Sequence, residues 1–211
     1  MQQPESNIYY ELTGALKKLA SCFDGAGDAW LLGGSCGLWL QGVPLEAAPR
    51  DIDVYADQAA ASRLHERLKD RATDEPHHDR SGLYASLLSH YRVEGVTVEL
   101  VGAFEVRAQG SLYRTEVDEL LAGAAQMIEL EGISLPVMPL AHEFVFNLLR
   151  GRPDRYLSIA KVIRREPDRH LPLLYGLLER NWWSADLVGR MAEMLDRPLL
   201  SLPWREYRGE A

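Results

Sequence analysis

The chain has 211 residues, 46% of them apolar, and its 23 basic and 31 acidic residues give a net charge of −8. This length and apolar fraction are typical of a globular protein with one large core or two small ones. Nucleic-acid binding surfaces need clustered Lys and Arg, so the acidic balance argues against a long nucleic-acid partner.

The first predicted elements are a helix over residues 6–23 and an apolar segment that ends at Gly33-Gly34-Ser35. Glycine has no Cβ, so the backbone here can turn tightly and bring its amides close to a ligand. Residues 35–41 are expected to form a short helix whose N-terminal amides and dipole attract an anion, with the Ser35 hydroxyl as a further contact. The pattern predicts a phosphate-binding turn, and a plain strand-to-helix turn is the alternative.

Two acidic residues, Asp51 and Asp53, follow in a segment where polar and apolar residues alternate. On a strand this alternation places both carboxylates on one face and turns Ile52 and Val54 toward a core. Neighbouring carboxylates repel, and Mg²⁺ is the usual counter-charge because it binds carboxylate, water and phosphate oxygens together. The segment predicts a metal-binding strand; a turn cap at Asp51 and an exposed strand residue at Asp53 are the alternatives.

A helix, a polar loop and two strands are predicted next, over residues 58–71, 73–82, 83–93 and 96–101. The loop contains His77 and His78, and adjacent histidines without a partner acid are typical of a solvated loop; a metal site is the alternative. The two-residue turn Glu94-Gly95 predicts an antiparallel hairpin. Glu99 interrupts the apolar run of the second strand and offers a third carboxylate; pairing with Arg92 or Arg107 on the surface is the alternative.

Two more strands are predicted at 126–130 and 133–137, joined at a second Glu-Gly turn, Glu131-Gly132, and after them the pattern becomes helical. Helices are predicted over residues 141–150, 155–164, 171–179 and 185–195, with Ser184 as the N-cap of the last. The sequence therefore predicts an α+β fold with a mixed sheet flanked by helices. We expect an α/β domain over residues 1–138 and a small helical bundle over residues 139–211.

The two cysteines, Cys22 and Cys36, provide neither a disulfide framework nor metal-ligand spacing. They are expected to be reduced thiols of a cytoplasmic protein, with Cys36 packing at the start of the short helix. A redox-sensitive role for Cys36 is the alternative. Charged residues interrupt the first twenty positions, and no apolar run approaches about 18 residues, so neither a signal peptide nor membrane association is expected.

Gly-Gly-Ser at 33–35, Asp-x-Asp at 51–53 and Glu99 on a later strand together resemble the nucleotidyltransferase superfamily, which includes DNA polymerase β-like and antibiotic-modifying members. The resemblance covers residues 28–165 and is to small bacterial members, whose strand-to-helix junction is similar to residues 135–150. It implies a nucleotide site at Gly33, Gly34 and Ser35. It also implies catalytic residues that bind one or two Mg²⁺ ions, namely Asp51, Asp53 and Glu99.

The helical half departs from the pattern of these members at one place. They commonly carry a Lys in the first helix and a Lys-Asp pair soon after it, whereas this chain has Asn147 and then Arg152-Pro153-Asp154-Arg155. The resemblance therefore implies that Arg150, Arg152 or Lys161 supplies the phosphate contacts of the helical half.

The implied reaction moves a nucleoside monophosphate from a nucleoside triphosphate to a hydroxyl group of a small molecule or a protein, and it releases pyrophosphate. ATP is the commoner donor among relatives. A different class of function is a non-catalytic module of the same fold that binds a protein partner, as in toxin–antitoxin pairs. The absent lysine favours that alternative.

Two other phosphate-handling motifs are disfavoured by the flanking residues. A haloacid-dehalogenase-like Asp-x-Asp motif would end a buried apolar strand, but residues 46–50 before Asp51 do not form one. A Walker-type loop needs Gly-Lys-Ser/Thr after the glycines, and Ser35-Cys36 follows them here.

Overall fold

The computed structural model describes residues 4–201 and residue 204, in which seven α-helices surround one eight-stranded sheet. The helices are α1 (Pro4–Phe23), α2 (Gly34–Leu40), α3 (Gln58–Leu68), α4 (Leu140–Leu149), α5 (Pro153–Arg165), α6 (Pro167–Arg180) and α7 (Ala185–Leu195). The strands are β1 (Trp30–Gly33), β2 (Asp51–Ala56), β3 (His77–Asp79), β4 (Tyr84–Val93), β5 (Val96–Ala108), β6 (Ser111–Arg114), β7 (Gln126–Leu130) and β8 (Ile133–Val137). The predicted α+β class is confirmed.

The sheet is mixed, with strand order β3-β4-β5-β2-β1-β8-β7 and β6 paired to β5. Strand β2 runs antiparallel to β1 and parallel to β5. In this register Asp53 lies opposite Gly33 on one side and opposite Glu99 on the other. Glu99 in turn lies opposite His90 on β4. The topology therefore places the predicted glycine turn and two of the predicted carboxylates in one row across the sheet.

The apolar residues of the sheet form two clusters, one against α1 and α3 and the other against α4–α7. Ile52 and Val54 belong to the first cluster, whereas Tyr55 belongs to the second. The predicted orientation of Ile52 and Val54 toward a core is thus confirmed. Side chains alternate along a strand, so Asp51, Asp53 and Tyr55 share the face toward the helical half.

Helix α4 is buried along its whole length and lies at the centre of the second cluster. A helix that is buried on all sides needs partners on all sides, here the sheet together with helices α5 and α6. This cluster includes residues from both sides of position 138. The division into domains at that position stays a prediction.

Helix α1 presents an amphipathic stripe to the sheet, with Leu12, Leu16 and Leu19 buried. The helix predicted over residues 6–23 is thus confirmed, with its observed start at Pro4. Among the described residues, no helix combines the length and apolar character needed to cross a membrane.

Three local predictions differ from the structure. Residues His77–Asp79 pair with β4 as a short edge strand, so the loop predicted over 73–82 is wrong there; the strand partner is distant in sequence. Strand β5 continues to Ala108, where it pairs with β6. Helix α6 begins at Pro167 rather than residue 171, because proline at the first helical position loses no hydrogen bond.

Candidate active site

The turn after β1 requires glycine at position 34 for two independent reasons. Gly34 has φ +59°, in the left-handed region that side chains rarely adopt. A Cβ built on Gly34 would lie 1.8 Å from Oδ2 of Asp53. The Asp53 carboxylate therefore packs directly against the backbone of the turn.

The amide of Gly34 already has a hydrogen-bond acceptor, which the sequence did not reveal. It donates to Oε1 of Glu143 over 2.8 Å, and Glu143 on α4 is completely buried. Burial raises the pKa of Glu143 to about 6, an effect opposed by Arg150 and by the hydrogen bond from Gly34. The Gly34 amide, one of the predicted phosphate contacts, is thus already bonded to a carboxylate from the helical half.

The three predicted carboxylates form one electrostatic group. The pKa of Asp53 is raised to about 7, mainly by burial and then by the charges of Asp51, Glu99 and Glu143. The pKa of Glu99 is also raised, by burial and by Asp51, while His90 opposes the shift. The structure therefore brings Asp51, Asp53 and Glu99 close enough to repel one another.

The oxygen donors of these residues suit Mg²⁺, and their mutual repulsion is the kind that a cation relieves. In the chain as far as it is described, however, no three Asp, Glu, His or Cys side chains are already arranged around a common metal position. The carboxylates thus fit the ion in chemistry, and binding requires their side chains to turn toward it.

A first cavity of about 270 Å³ opens beside Ser35 and Asp51 and is here called the arginine cavity. Its lining includes three arginines, Arg50, Arg152 and Arg155, and three acids, Glu46, Asp51 and Asp154. The guanidinium groups and the serine hydroxyl supply hydrogen-bond donors of the kind that bind phosphate oxygens.

Two of these arginines are already oriented by neighbours. Nη2 of Arg155 donates to Oγ of Ser35 over 2.7 Å, and Nη2 of Arg152 donates to Oδ2 of Asp154 over 2.7 Å. Burial and the charges of Arg150 and Arg152 lower the pKa of Arg155. Arg155 is thus a site residue that sequence reasoning missed, although its position beside Arg152 in a run of charges was visible.

Lys161, the predicted phosphate ligand on α5, lies away from these arginines. It lies further along α5, its side chain is exposed, and it is not among the residues that line the arginine cavity. Lys161 is six positions after Arg155, which places the two side chains on different faces of the helix.

A second cavity of about 250 Å³ lies further along β2, beside Asp53 and Tyr55, and is here called the carboxylate cavity. Asp53, Glu99 and Arg150 line it together with an aromatic wall that includes Tyr84 and Phe104. The rings of that pair stack with centroids 5.8 Å apart. Asp51 therefore faces the arginine cavity, while Asp53 and Glu99 face an acidic and aromatic one.

A histidine from the neighbouring strand lies against Glu99. Nδ1 and the backbone amide of His90 each lie 2.6 Å from an oxygen of Asp74, and Nε2 of His90 lies 3.9 Å from Oε1 of Glu99. The ring of His77 stacks on that of His90. The sequence suggested a surface arginine as the alternative partner of Glu99; the structure places His90 there.

Cys36 lies at the start of α2 with no exposed surface. Burial, together with the charges of Asp53 and Asp51, raises the pKa of its thiol to about 12. Its position supports the packing role and leaves the thiol protonated near neutral pH.

No protein-family model matches the sequence, and no curated protein matches it either. Solved structures do match. A Thermotoga maritima protein described as a "putative nucleotidyltransferase" superposes with a TM-score of 0.58 at 22% identity, over 78% of this chain and 96% of that one. The antibiotic-resistance factor ANT(2'')-Ia superposes with a TM-score of 0.52 at 10% identity, over 79% and 91%. The chain has the nucleotidyltransferase fold. The likeness confirms the predicted fold, and the residue roles remain predictions.

Proposed function

We propose that the protein is a metal-dependent nucleotidyltransferase. It would move a nucleoside monophosphate from a nucleoside triphosphate, most simply ATP, to a hydroxyl group of a small molecule or a protein. The observation that carries this proposal is the register of β1, β2 and β5, which sets Asp53 between the glycine turn and Glu99. That row lies between the arginine cavity and the carboxylate cavity.

The arginine cavity is suited to the β- and γ-phosphates. Arg155 is held by Ser35 and Arg152 by Asp154, so both guanidinium groups are oriented before the ligand arrives. Because the Gly34 amide is held by Glu143, we assign the serine hydroxyl and the arginines, rather than that amide, as the main phosphate ligands.

Asp51, Asp53 and Glu99 are the proposed metal ligands, for one or two Mg²⁺ ions. Bound Mg²⁺ would neutralise the triphosphate and stabilise the developing charge on pyrophosphate. Asp51 faces the arginine cavity and Asp53 the carboxylate cavity, so the α-phosphate would lie between the two.

Glu99 is the proposed general base, because it lines the cavity left for the acceptor and burial raises its pKa. It would accept the proton of the acceptor hydroxyl as the new oxygen–phosphorus bond forms. The bond from the α-phosphorus to pyrophosphate breaks in line with it. A small-molecule acceptor agrees with the description of ANT(2'')-Ia as an antibiotic-resistance factor.

The test is transfer of label from each of the four α-³²P nucleoside triphosphates, with Mg²⁺ and with small-molecule libraries or cell extract as acceptors. Asp51→Asn/Asp53→Asn should abolish transfer, and EDTA should do the same. Asp186→Asn, at an exposed position in the first turn of α7, is the matched control and should transfer normally. Transfer that survives the double substitution would contradict the site.

Two observations favour a second candidate, the non-catalytic module with a protein partner. The Gly34 amide is engaged by Glu143, and Asn147 stands where the resemblance to small bacterial nucleotidyltransferases implies a lysine. Calorimetry with Mg²⁺ and ATP, CTP, GTP or UTP separates the two candidates. Binding of a triphosphate that depends on Mg²⁺ supports the enzyme, whereas a tight protein partner without nucleotide binding supports the module.

A further inference from the structure

We propose that Arg150 binds the α-phosphate of the nucleotide and that Asn147 is the positioning residue that holds it there. This inference rests on the proposed function and assigns roles to two residues of α4 and its C-terminus. It explains how the helical half contributes to the site without a lysine at position 147.

Arg150 lies on the side of the site where the reacting atoms meet. It lines the carboxylate cavity with Asp53 and Glu99, whereas Arg152 and Arg155 line the arginine cavity. The α-phosphorus must lie between the leaving pyrophosphate and the acceptor hydroxyl. Of these three arginines, only Arg150 shares a cavity with both carboxylates.

The guanidinium of Arg150 is oriented but keeps donors available. Nε and Nη2 donate to Oδ1 of Asn147 over 3.1 Å and 2.8 Å. The same group lies over the Phe146 ring, 4.3 Å from its centroid. Within the described part of the chain, Arg150 forms no ion pair with a carboxylate, unlike Arg152. Arginine has five N–H donors, so those not used by Asn147 remain for an oxyanion.

Asn147 is completely buried, and both ends of its amide are engaged. Nδ2 donates to the backbone oxygen of Glu143 over 2.7 Å and to Oε2 of Glu143 over 3.1 Å. The carboxylate can only accept and the guanidinium can only donate, so the amide has one possible orientation. Because Glu143 also holds the Gly34 amide, a hydrogen-bonded chain connects the glycine turn to Arg150.

A lysine at position 147 would be a flexible point charge, whereas this arrangement presents a planar cation with a set direction. Preorganised cations are most effective where charge develops during the reaction. The geometry thus assigns Arg150 to the α-phosphate and leaves the β- and γ-phosphates to the arginine cavity.

The test is ³¹P NMR of α,β-methylene-ATP with Mg²⁺, since this analogue cannot be transferred and its three phosphorus atoms give separate resonances. In the unmodified protein all three resonances should shift on binding. Arg150→Gln should return the α resonance toward its free position and weaken binding about tenfold or more. Arg155→Gln should instead affect the β and γ resonances.

Asn147→Ala should return the α resonance toward its free position, as Arg150→Gln does. The double variant should bind the analogue no more weakly than Arg150→Gln alone. The matched control is Asn181→Ala, because Asn181 is an equally buried asparagine that bonds the backbone of α6 and β6, away from both cavities. It should lower stability and leave all three resonances unchanged. In Arg150→Ala, added guanidinium ion should restore the α shift. If Asn147→Ala does not fold, Asn147→Ser takes its place.

Three results would overturn the inference. One is an α resonance that still shifts normally in Arg150→Gln. Another is an Asn147 variant that binds the analogue as the unmodified protein does, since Asn147 would then be merely structural. A third is an unmodified protein that binds no triphosphate, which would also overturn the proposed function; the first two would leave that function intact.

Discussion

Replacing Gly34 by alanine tests the packing of Asp53 against the glycine turn. The new Cβ would lie 1.8 Å from Oδ2 of Asp53, where ordinary contact begins near 3.4 Å, so the carboxylate must retreat by about 1.6 Å. The left-handed φ of +59° adds its own cost for a residue with a side chain. Gly34→Ala therefore combines backbone strain with displacement of a proposed metal ligand.

Gly42→Ala separates these two effects. Gly42 has a φ of +70° and nothing within 4 Å of the position its Cβ would take, so this variant carries the backbone strain alone. We expect Gly42→Ala to lower the free energy of unfolding by about 1–2 kcal/mol. Gly34→Ala should lower the free energy of unfolding by a further ~1–3 kcal/mol, because the Asp53 carboxylate is also displaced.

Urea denaturation measures both costs, and calorimetry with Mg²⁺ and ATP measures the consequence for the site. Gly34→Ala is expected to lose nucleotide binding, because Asp53 can no longer stay beside the turn, while Gly42→Ala is expected to bind normally. Equal stability loss and equal binding in the two variants would refute the reasoning, since Asp53 would then not occupy the space against Gly34.

Three further predictions use the ionisable and reactive groups of the described chain. Burial and Asp51 raise the pKa of Asp53 from its ordinary 3.8 to about 7, so the native state holds a proton more tightly than the unfolded chain. Asp53→Asn should therefore raise the free energy of unfolding at pH 8, by an amount on the order of a few kcal/mol. This difference should shrink as the pH falls below 7. Urea titrations in which the variant is no more stable than the unmodified protein at pH 8 would contradict this prediction. Burial lowers the pKa of His142 from 6.5 to about 3, so the unfolded state gains a proton below pH 6.5 that the native state excludes. The free energy of unfolding should therefore fall by about 1.4 kcal/mol for each pH unit below 6.5. His142→Phe should remove this contribution to the pH dependence of stability between pH 6.5 and 5. A thiol reagent should modify the partly exposed Cys22 and spare Cys36 until the chain is unfolded in denaturant, and fast labelling of both in the native state would be evidence against the burial of Cys36.

Local chemistry made much of the fold predictable. The alternation over 51–55, the two-residue turns at Glu94-Gly95 and Glu131-Gly132, and the cap at Ser184 all depend on neighbours within a few residues. The hairpins pair across both turns, and Ser184 accepts a hydrogen bond from the amide of Leu187. The short strand at His77–Asp79 was not predictable in this way, because its partner on β4 gives it the extended conformation.

The order of glycine turn, Asp strand and later acid along the chain was enough to predict the nucleotidyltransferase fold and to name Gly34, Asp53 and Glu99. Only the tertiary structure decided which side chains from the helical half bond to this part of the site. The Gly34 amide bonds a carboxylate 109 residues away, and Ser35 bonds Arg155 across 120 residues. Such contacts depend on α4 and α5 packing on one face of the sheet, and burial there sets the pKa values of Asp53 and Glu143. Periodicity and turn chemistry act within a few residues, whereas hydrogen-bond partners and desolvation are set by elements that are distant in sequence.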